Sequence, residues 1–258
     1  MTKIHPTAII EDGAKLDDNV EVGAYAYIGK DVQLGSGTVV AHHATVDGYT
    51  IMGRDNQVFP YAFIGGKTHD LKYVGGKTGL KIGDRNVFRE YTTAHLATRD
   101  GGFTLVGNDN NILAYSHIAH DCVVGNKLIM SSHAALGGHV VIEDYAVIGW
   151  GSGVHQFCRV GAYSMLSASS KLVKDLPPFF MADGSPATVC AINKINMQRN
   201  GFTQDEVDLV FTAFKIIYRR GLARKHAIDE LEEHSNAASR VIAQILHFAK
   251  ESSERGLL

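Results

Sequence analysis

Ten of the chain's 13 histidines fall before residue 156, and four of them stand beside groups that would suit an acid–base site. His117 and His120 are three apart, Asp121 follows His120, Gly138 precedes His139, and His155 precedes Gln156. An imidazole is the side chain whose ordinary pKa lets it take up and release a proton near neutrality. A neighbouring carboxylate can orient it, and a glycine leaves a bare backbone N–H that can donate to a developing oxyanion. A lone surface histidine is usually just a solvated polar residue, and His5, His42, His43, His133, His226, His234 and His247 are read that way. The other group differs because His120, Gly138 and Gln156 are spaced by 18 residues. That spacing matters only if the chain coils with the same period.

The chain carries that period. Every sixth residue from Ile10 is aliphatic: Ile10, Leu16, Val22, Ile28, Leu34, Val40, Val46, Met52, Val58 and Ile64. The phase resumes at Ile82 and Phe88, then runs from Val106 to Leu172; only Asp70, Gly76, Ala94 and Asp100 break it. The next residue is often glycine (Gly23, Gly35, Gly137, Gly149), and the residue four on is usually small (Ala26, Thr38, Ala44, Ser116). A helix repeats every 3.6 residues and an ordinary strand every 2. A period of six means one short strand and one corner per repeat, three repeats closing a triangular coil of 18. The expected fold is an all-β, left-handed parallel β-helix in which glycine relieves the turns. Residues one coil apart then lie ~4.8 Å apart, so His120, Gly138 and Gln156 stack in a column. His139, His155 and His117 gather around it on one edge.

Segments 65–81 and 95–104 keep the count but lose the pattern, so both read as loops projecting from a prism spanning 1–186. They carry Lys67, His69, Asp70, Lys72, Arg99 and Asp100, and long loops in a compact repeat are more often functional than decorative. After Pro186 the periodicity turns helical, and 187–258 reads as a C-terminal α-helical subdomain. Thr203 and Glu206 form a capping box ahead of an apolar face of Val207, Val210, Phe211, Phe214, Ile217 and Tyr218.

Composition narrows the function classes. With 25 basic and 27 acidic residues there is no bulk charge for nucleic acid or a membrane surface. Neither a signal peptide nor a membrane-spanning run is legible, so the expected compartment is the cytoplasm. Cys122 and Cys158 fall in the small interior column two coils apart, too far for a disulfide, and read as core residues.

Asp70-Leu71-Lys72-Tyr73, His117-Ile118-Ala119-His120-Asp121-Cys122, Gly137-Gly138-His139 and His155-Gln156-Phe157-Cys158 occur in this order, ahead of Gly201-Phe202-Thr203 in the tail. In these stretches the chain resembles the bacterial UDP-N-acetylglucosamine O-acyltransferases of lipid A biosynthesis over nearly its full length. The resemblance implies a homotrimer with sites between prisms. It implies transfer of a 3-hydroxyacyl chain from acyl carrier protein to the 3-hydroxyl of UDP-N-acetylglucosamine, with no metal, cofactor or acyl-enzyme. By position, His120 would be the general base, Asp121 its orienting partner and Gly138 the oxyanion donor. Asp70, Lys72, His117, His139, His155 and Gln156 would hold the sugar nucleotide, and Asn193 and Arg199 its nucleotide end. Ala168 falls where the family sets acyl-chain length.

The chain departs from the family pattern at His69, where glutamine is common, at Ile195 in place of an acidic residue, and at Asn200 in place of an arginine. These leave open a 3-amino sugar acceptor. Other readings are a different hexapeptide-repeat acyl- or acetyltransferase, a trimeric zinc carbonic anhydrase using His117, His120 and His139, and a non-catalytic solenoid.

Overall fold

The computed structural model describes residues 1–233, 236–251 and 254–258; His234 lies outside them. The six-residue repeat folds as a left-handed parallel β-helix; among the described residues its three sheets have 11, 9 and 8 strands, the last of the 11 being an antiparallel strand beyond the repeat. Most strands are two residues long, such as Tyr27–Ile28 and His117–Ile118, and stack in register with strands one coil away. In regular coils the partners are 18 apart, as in Lys3↔Glu21 and His117↔Ala135. The aliphatic column fills the prism, with Ile28, Ile64, Ile112, Ile118, Leu136 and Leu166 fully buried. The small column lies inside as well, including Ala26, Ala146, Cys122 and Cys158.

The role of glycine differs from the expected one. The left-handed corner falls three residues after the aliphatic position, on non-glycine residues such as Asp121 (φ 59°), His139 (φ 60°) and Phe157 (φ 66°). These three corner N–H groups are satisfied across the coil, Asp121 donating to Thr104 Oγ1 at 2.8 Å, His139 to the His120 carbonyl at 3.1 Å and Phe157 to that of Gly138 at 3.0 Å. This pairing offsets the cost of the left-handed conformation. The glycine just after the aliphatic residue answers to close approach instead. At Gly137 a Cβ would stand 2.7 Å from the Gln156 nitrogen, so the coils could not stack.

Two loops, over residues 67–78 and 96–102, interrupt the coils. The strands Phe63–Gly66, Gly79–Ile82, Thr93–His95 and Phe103–Val106 reach further into these regions than the repeat pattern predicts. Across the first loop partners are 30 apart (Phe63↔Thr93), and across the second 24 (Thr93↔His117). The insertions are thus whole multiples of six, and the phase survives.

The expected boundary at 186 falls in the turn of a hairpin. Strand Phe180–Gly184 continues the first sheet, pairing with Met165–Leu166, and Ala187–Ile192 folds back antiparallel. Helices α1 (Lys194–Arg199), α2 (Gln204–Tyr218), α3 (Arg224–Glu233) and α4 (Arg240–Lys250) follow. Thr203 and Glu206 form the reciprocal capping box at α2. Phe211 lies 43% exposed, while Ala213 and Ile216 join the buried face, so α2 is rotated from the expected stripe. Arg159 ties α4 to the prism, donating to the Phe248 carbonyl at 3.3 Å and lying 4.1 Å over its ring. Among the described residues no helix is long and apolar enough to cross a membrane.

Candidate active site

His120 and Asp121 occupy the corner between the second sheet and the third, just after strand His117–Ile118. The left-handed turn at Asp121 brings its carboxylate round to the preceding imidazole, placing Oδ2 2.8 Å from His120 Nδ1. Thr98, from the second loop, clamps the carboxylate. Its hydroxyl donates to Oδ2 at 2.5 Å and its N–H to Oδ1 at 3.2 Å. Burial alone would raise the Asp121 pKa. The hydrogen bonds from Thr98 and His120 outweigh that, so the carboxyl stays below its ordinary value and ionised. An ionised carboxylate can only accept, so His120 donates from Nδ1, which leaves Nε2 as the nitrogen that carries the lone pair whenever the ring is neutral.

Gly138 lies one coil above, against that imidazole. A Cβ at this position would stand 2.6 Å from His120 Nε2, so the ring occupies the space a side chain would need. The Gly138 N–H has no acceptor among the described residues. On the corner between the third sheet and the first, equivalent N–H groups are capped by the side chain one coil on. Asn108 N donates to Asn126 Oδ1 and Asn126 N to Asp144 Oδ1, at 2.8 and 2.7 Å. Gln156 makes no such bond to Gly138, which leaves a free donor beside a free base. His139 stacks on Phe157 with centroids 4.7 Å apart, and its Nε2 lies 3.7 Å from Asp121 Oδ2. Gln156 is exposed; its carbonyl accepts from Arg255 Nε at 2.9 Å and lies 3.3 Å from His155 Nδ1.

His117 does not join this column. It points outward from the second sheet, where its Nδ1 lies 2.7 Å from Thr93 Oγ1 and its ring meets His95 and His69. Desolvation, then the neighbouring His69 and His120, lower its pKa. Through His69 the first loop folds onto this surface, carrying Asp70 and Lys72; Asp70 Oδ1 accepts the Lys72 N–H at 2.9 Å.

Asn193 and Arg199 lie on the opposite side of the prism. They line a cavity of about 980 Å³ between the outer face of the first sheet and α1, with Lys127, Ile129, Tyr145, Met165, Ile195 and Asn200. The Asn193 side chain is already committed, accepting from Asn196 N as the cap of α1 and donating to the Tyr163 carbonyl at 2.9 Å. Arg199 is exposed, and Ala168 is an exposed turn residue one coil beyond Trp150.

Comparison with known proteins agrees with this architecture. Residues 13–48 match the model for bacterial transferase hexapeptide (six repeats), and residues 175–258 that for domain 2 of UDP N-acetylglucosamine O-acyltransferase. The acyl-[acyl-carrier-protein]–UDP-N-acetylglucosamine O-acyltransferase of Burkholderia orbicola is 44% identical over 262 residues, covering all of both chains. That of Paraburkholderia xenovorans is 45% identical, also over the whole of both. The chain belongs to the UDP-N-acetylglucosamine O-acyltransferase family. The solved UDP-N-acetylglucosamine acyltransferase of Francisella novicida superposes with a TM-score of 0.94 at 35% identity, covering 99% of this chain and 93% of that one. The Moraxella catarrhalis O-acyltransferase gives 0.92 at 38%, covering 98% of each.

Two residues of this O-acyltransferase escaped the sequence reading. Thr98, the clamp on Asp121, is an ordinary loop threonine in the sequence, and no spacing points to it. The repeat pattern puts His95 in the second loop, whereas it ends a strand and is buried beside His117. The repeat offered one signal: Thr93 is in phase with His117 once six inserted residues are allowed. Ligand atoms of His120, Asp121 and His139 lie within 4.8 Å of one another and could approach a metal ion together. His117 is not part of that group, so the His117–His120–His139 set suggested for zinc does not converge in one chain.

Proposed function

We propose that this O-acyltransferase works by general-base catalysis from His120. It transfers a 3-hydroxyacyl chain from acyl carrier protein to the 3-hydroxyl of UDP-N-acetylglucosamine, the first step of lipid A biosynthesis. His120 Nε2 takes the proton of the sugar hydroxyl as its oxygen attacks the thioester carbonyl. The Gly138 N–H receives the oxyanion of the tetrahedral intermediate. Collapse expels the carrier's thiolate, to which His120 returns the proton, leaving the ester and a free thiol. Asp121 holds the tautomer and balances the imidazolium formed midway. His117, His139, His155, Gln156, Asp70 and Lys72 bind the acceptor in this scheme, and Ala168 borders the acyl groove. The compartment is taken as the cytoplasm.

The observation that carries this reading is the pairing of an oriented base with an uncapped N–H one coil above it. Substituting His120 by alanine should lower kcat by at least about 10³-fold in a mass-spectrometric assay of acylated UDP-sugar, with the fold intact. Turnover near wild type would refute the assigned base.

The two groups of site residues lie on opposite sides of one prism but on the same coils, His120 to Gln156 against Asn111 to Met165. A second copy at the same axial level would bring its cavity to the first copy's histidine edge. An axis parallel to the prism closes such a contact into a ring, and we take the assembly to be a homotrimer. The zinc alternative has a separate test: general-base catalysis by His120 without a metal predicts that dialysis against a chelator leaves transferase activity unchanged. A loss restored by zinc would favour a metal bound at His120, Asp121 and His139.

A further inference from the structure

Three imidazoles meet on the second sheet, and the scheme above uses only one of them. His69 comes from the first loop, His95 ends strand Thr93–His95, and His117 stands on the next coil. The rings of His69 and His117 are nearly parallel (13°), with centroids 6.2 Å apart. His95 stands edge-on to both, at 4.1 Å from His69 and 4.7 Å from His117, with interplanar angles of 78° and 80°. Gly66 makes room for it; a Cβ there would lie 3.2 Å from His95 Cδ2.

His95 is 5% exposed, and its Nδ1 is buried with no hydrogen-bond partner among the described residues. Desolvation, with His117, His69 and His120 nearby, pushes its pKa down to about 4, so the ring is neutral, with one N–H and one lone pair. A buried polar atom left unpaired lowers stability, and packing alone does not account for it. A phenyl ring would make the same edge-on contacts with nothing to desolvate. His117 already has Thr93, whereas His69 has no hydrogen bond within the chain among the described residues and sits closest to His95.

We propose that His95 is a positioning residue for the acceptor: its unpartnered nitrogen hydrogen-bonds the His69 ring when the sugar nucleotide is bound, fixing that ring and the loop behind it. The inference rests on the reading that places His117 and the loop of Asp70 and Lys72 at the sugar nucleotide.

The test is steady-state kinetics of His95→Phe, His95→Gln, His69→Ala and the His69→Ala/His95→Phe double variant, with UDP-N-acetylglucosamine and an acyl carrier protein thioester. For His95→Phe, KM for the UDP-sugar should rise about tenfold, the size of one lost hydrogen bond, with kcat and donor KM within about threefold of wild type. His95→Gln keeps a donor and an acceptor and should recover most of the loss. The double variant should be no worse than His69→Ala alone, because His95 acts through His69. A wild-type KM for His95→Phe, a Gln variant as impaired as the Phe variant, or independent multiplying effects would each overturn the proposal. If His95→Phe does not fold, His95→Met carries the same comparison, its flexible side chain filling the space. His117→Ala separates the two levels. An unchanged acceptor KM there overturns the placement of the sugar nucleotide; a raised one with His95→Phe silent overturns only the role of His95.

Discussion

Replacing Gly138 by alanine adds one methyl group directly against the proposed base. The backbone at Gly138 is not left-handed, so alanine brings no conformational strain of its own. The new Cβ would stand 2.6 Å from His120 Nε2. A comfortable contact is about 3.5 Å, so the ring must retreat by about 1 Å. The backbone cannot give way easily, because Gly138 O accepts from Phe157 N at 3.0 Å and His139 N donates to His120 O at 3.1 Å. Turning the ring strains the 2.8 Å bond to Asp121, whose carboxylate Thr98 holds in place. Misplacing a catalytic group by about 1 Å costs about 10²-fold in rate, which is about 2.7 kcal/mol of barrier. Single-turnover measurements with saturating UDP-N-acetylglucosamine should therefore show kcat lowered by about two orders of magnitude, with acceptor KM and thermal stability close to wild type. A Gly138→Ala enzyme with kcat within about threefold of wild type would show that the imidazole does not act from its observed position.

Two further predictions concern protonation and thiol chemistry. His95 has a folded pKa of about 4 against an ordinary 6.5, so in this window the unfolded chain binds the proton first. Its contribution is complete above about 6.5 and is lost as pH falls toward 4, by up to about 3 kcal/mol. In urea unfolding at fixed protein concentration, the stability of wild type relative to His95→Phe should drop by about 2 kcal/mol between pH 7 and pH 4.5; a constant difference would refute the depressed value. Burial pushes the thiols of Cys122 and Cys158 up to about 12, while Cys190 is exposed. Iodoacetamide at pH 8 should thus alkylate only Cys190 in the native protein and all three in denaturant, as read by mass spectrometry.

The hexapeptide period is legible because each repeat must put one large aliphatic side chain inside a narrow prism, and that demand leaves no freedom at every sixth position. Ile118 and Leu136 are buried as that column requires. The period also fixes the neighbours of His120: residues one coil apart stack, so Gly138 and Gln156 follow from arithmetic. Asp121 is next in the chain, and the turn alone brings its carboxylate to the ring.

Tertiary structure decided what the period cannot reach. Thr98 and His69 sit on loops whose paths depend on contacts with distant coils, so their meetings with Asp121 and His95 have no sequence spacing. His95 looked like loop because its strand runs past the last residue of the repeat pattern. The outward direction of His117, away from the His120 corner, comes from strand alternation, which sends neighbouring residues to opposite faces of the wall. The separation of Asn193 and Arg199 from the histidine edge is a property of the closed triangle: a corner and the opposite face never meet within one chain. Covalent order placed the proposed base, its carboxylate and its glycine; the loops and faces around them became visible only once the chain was folded.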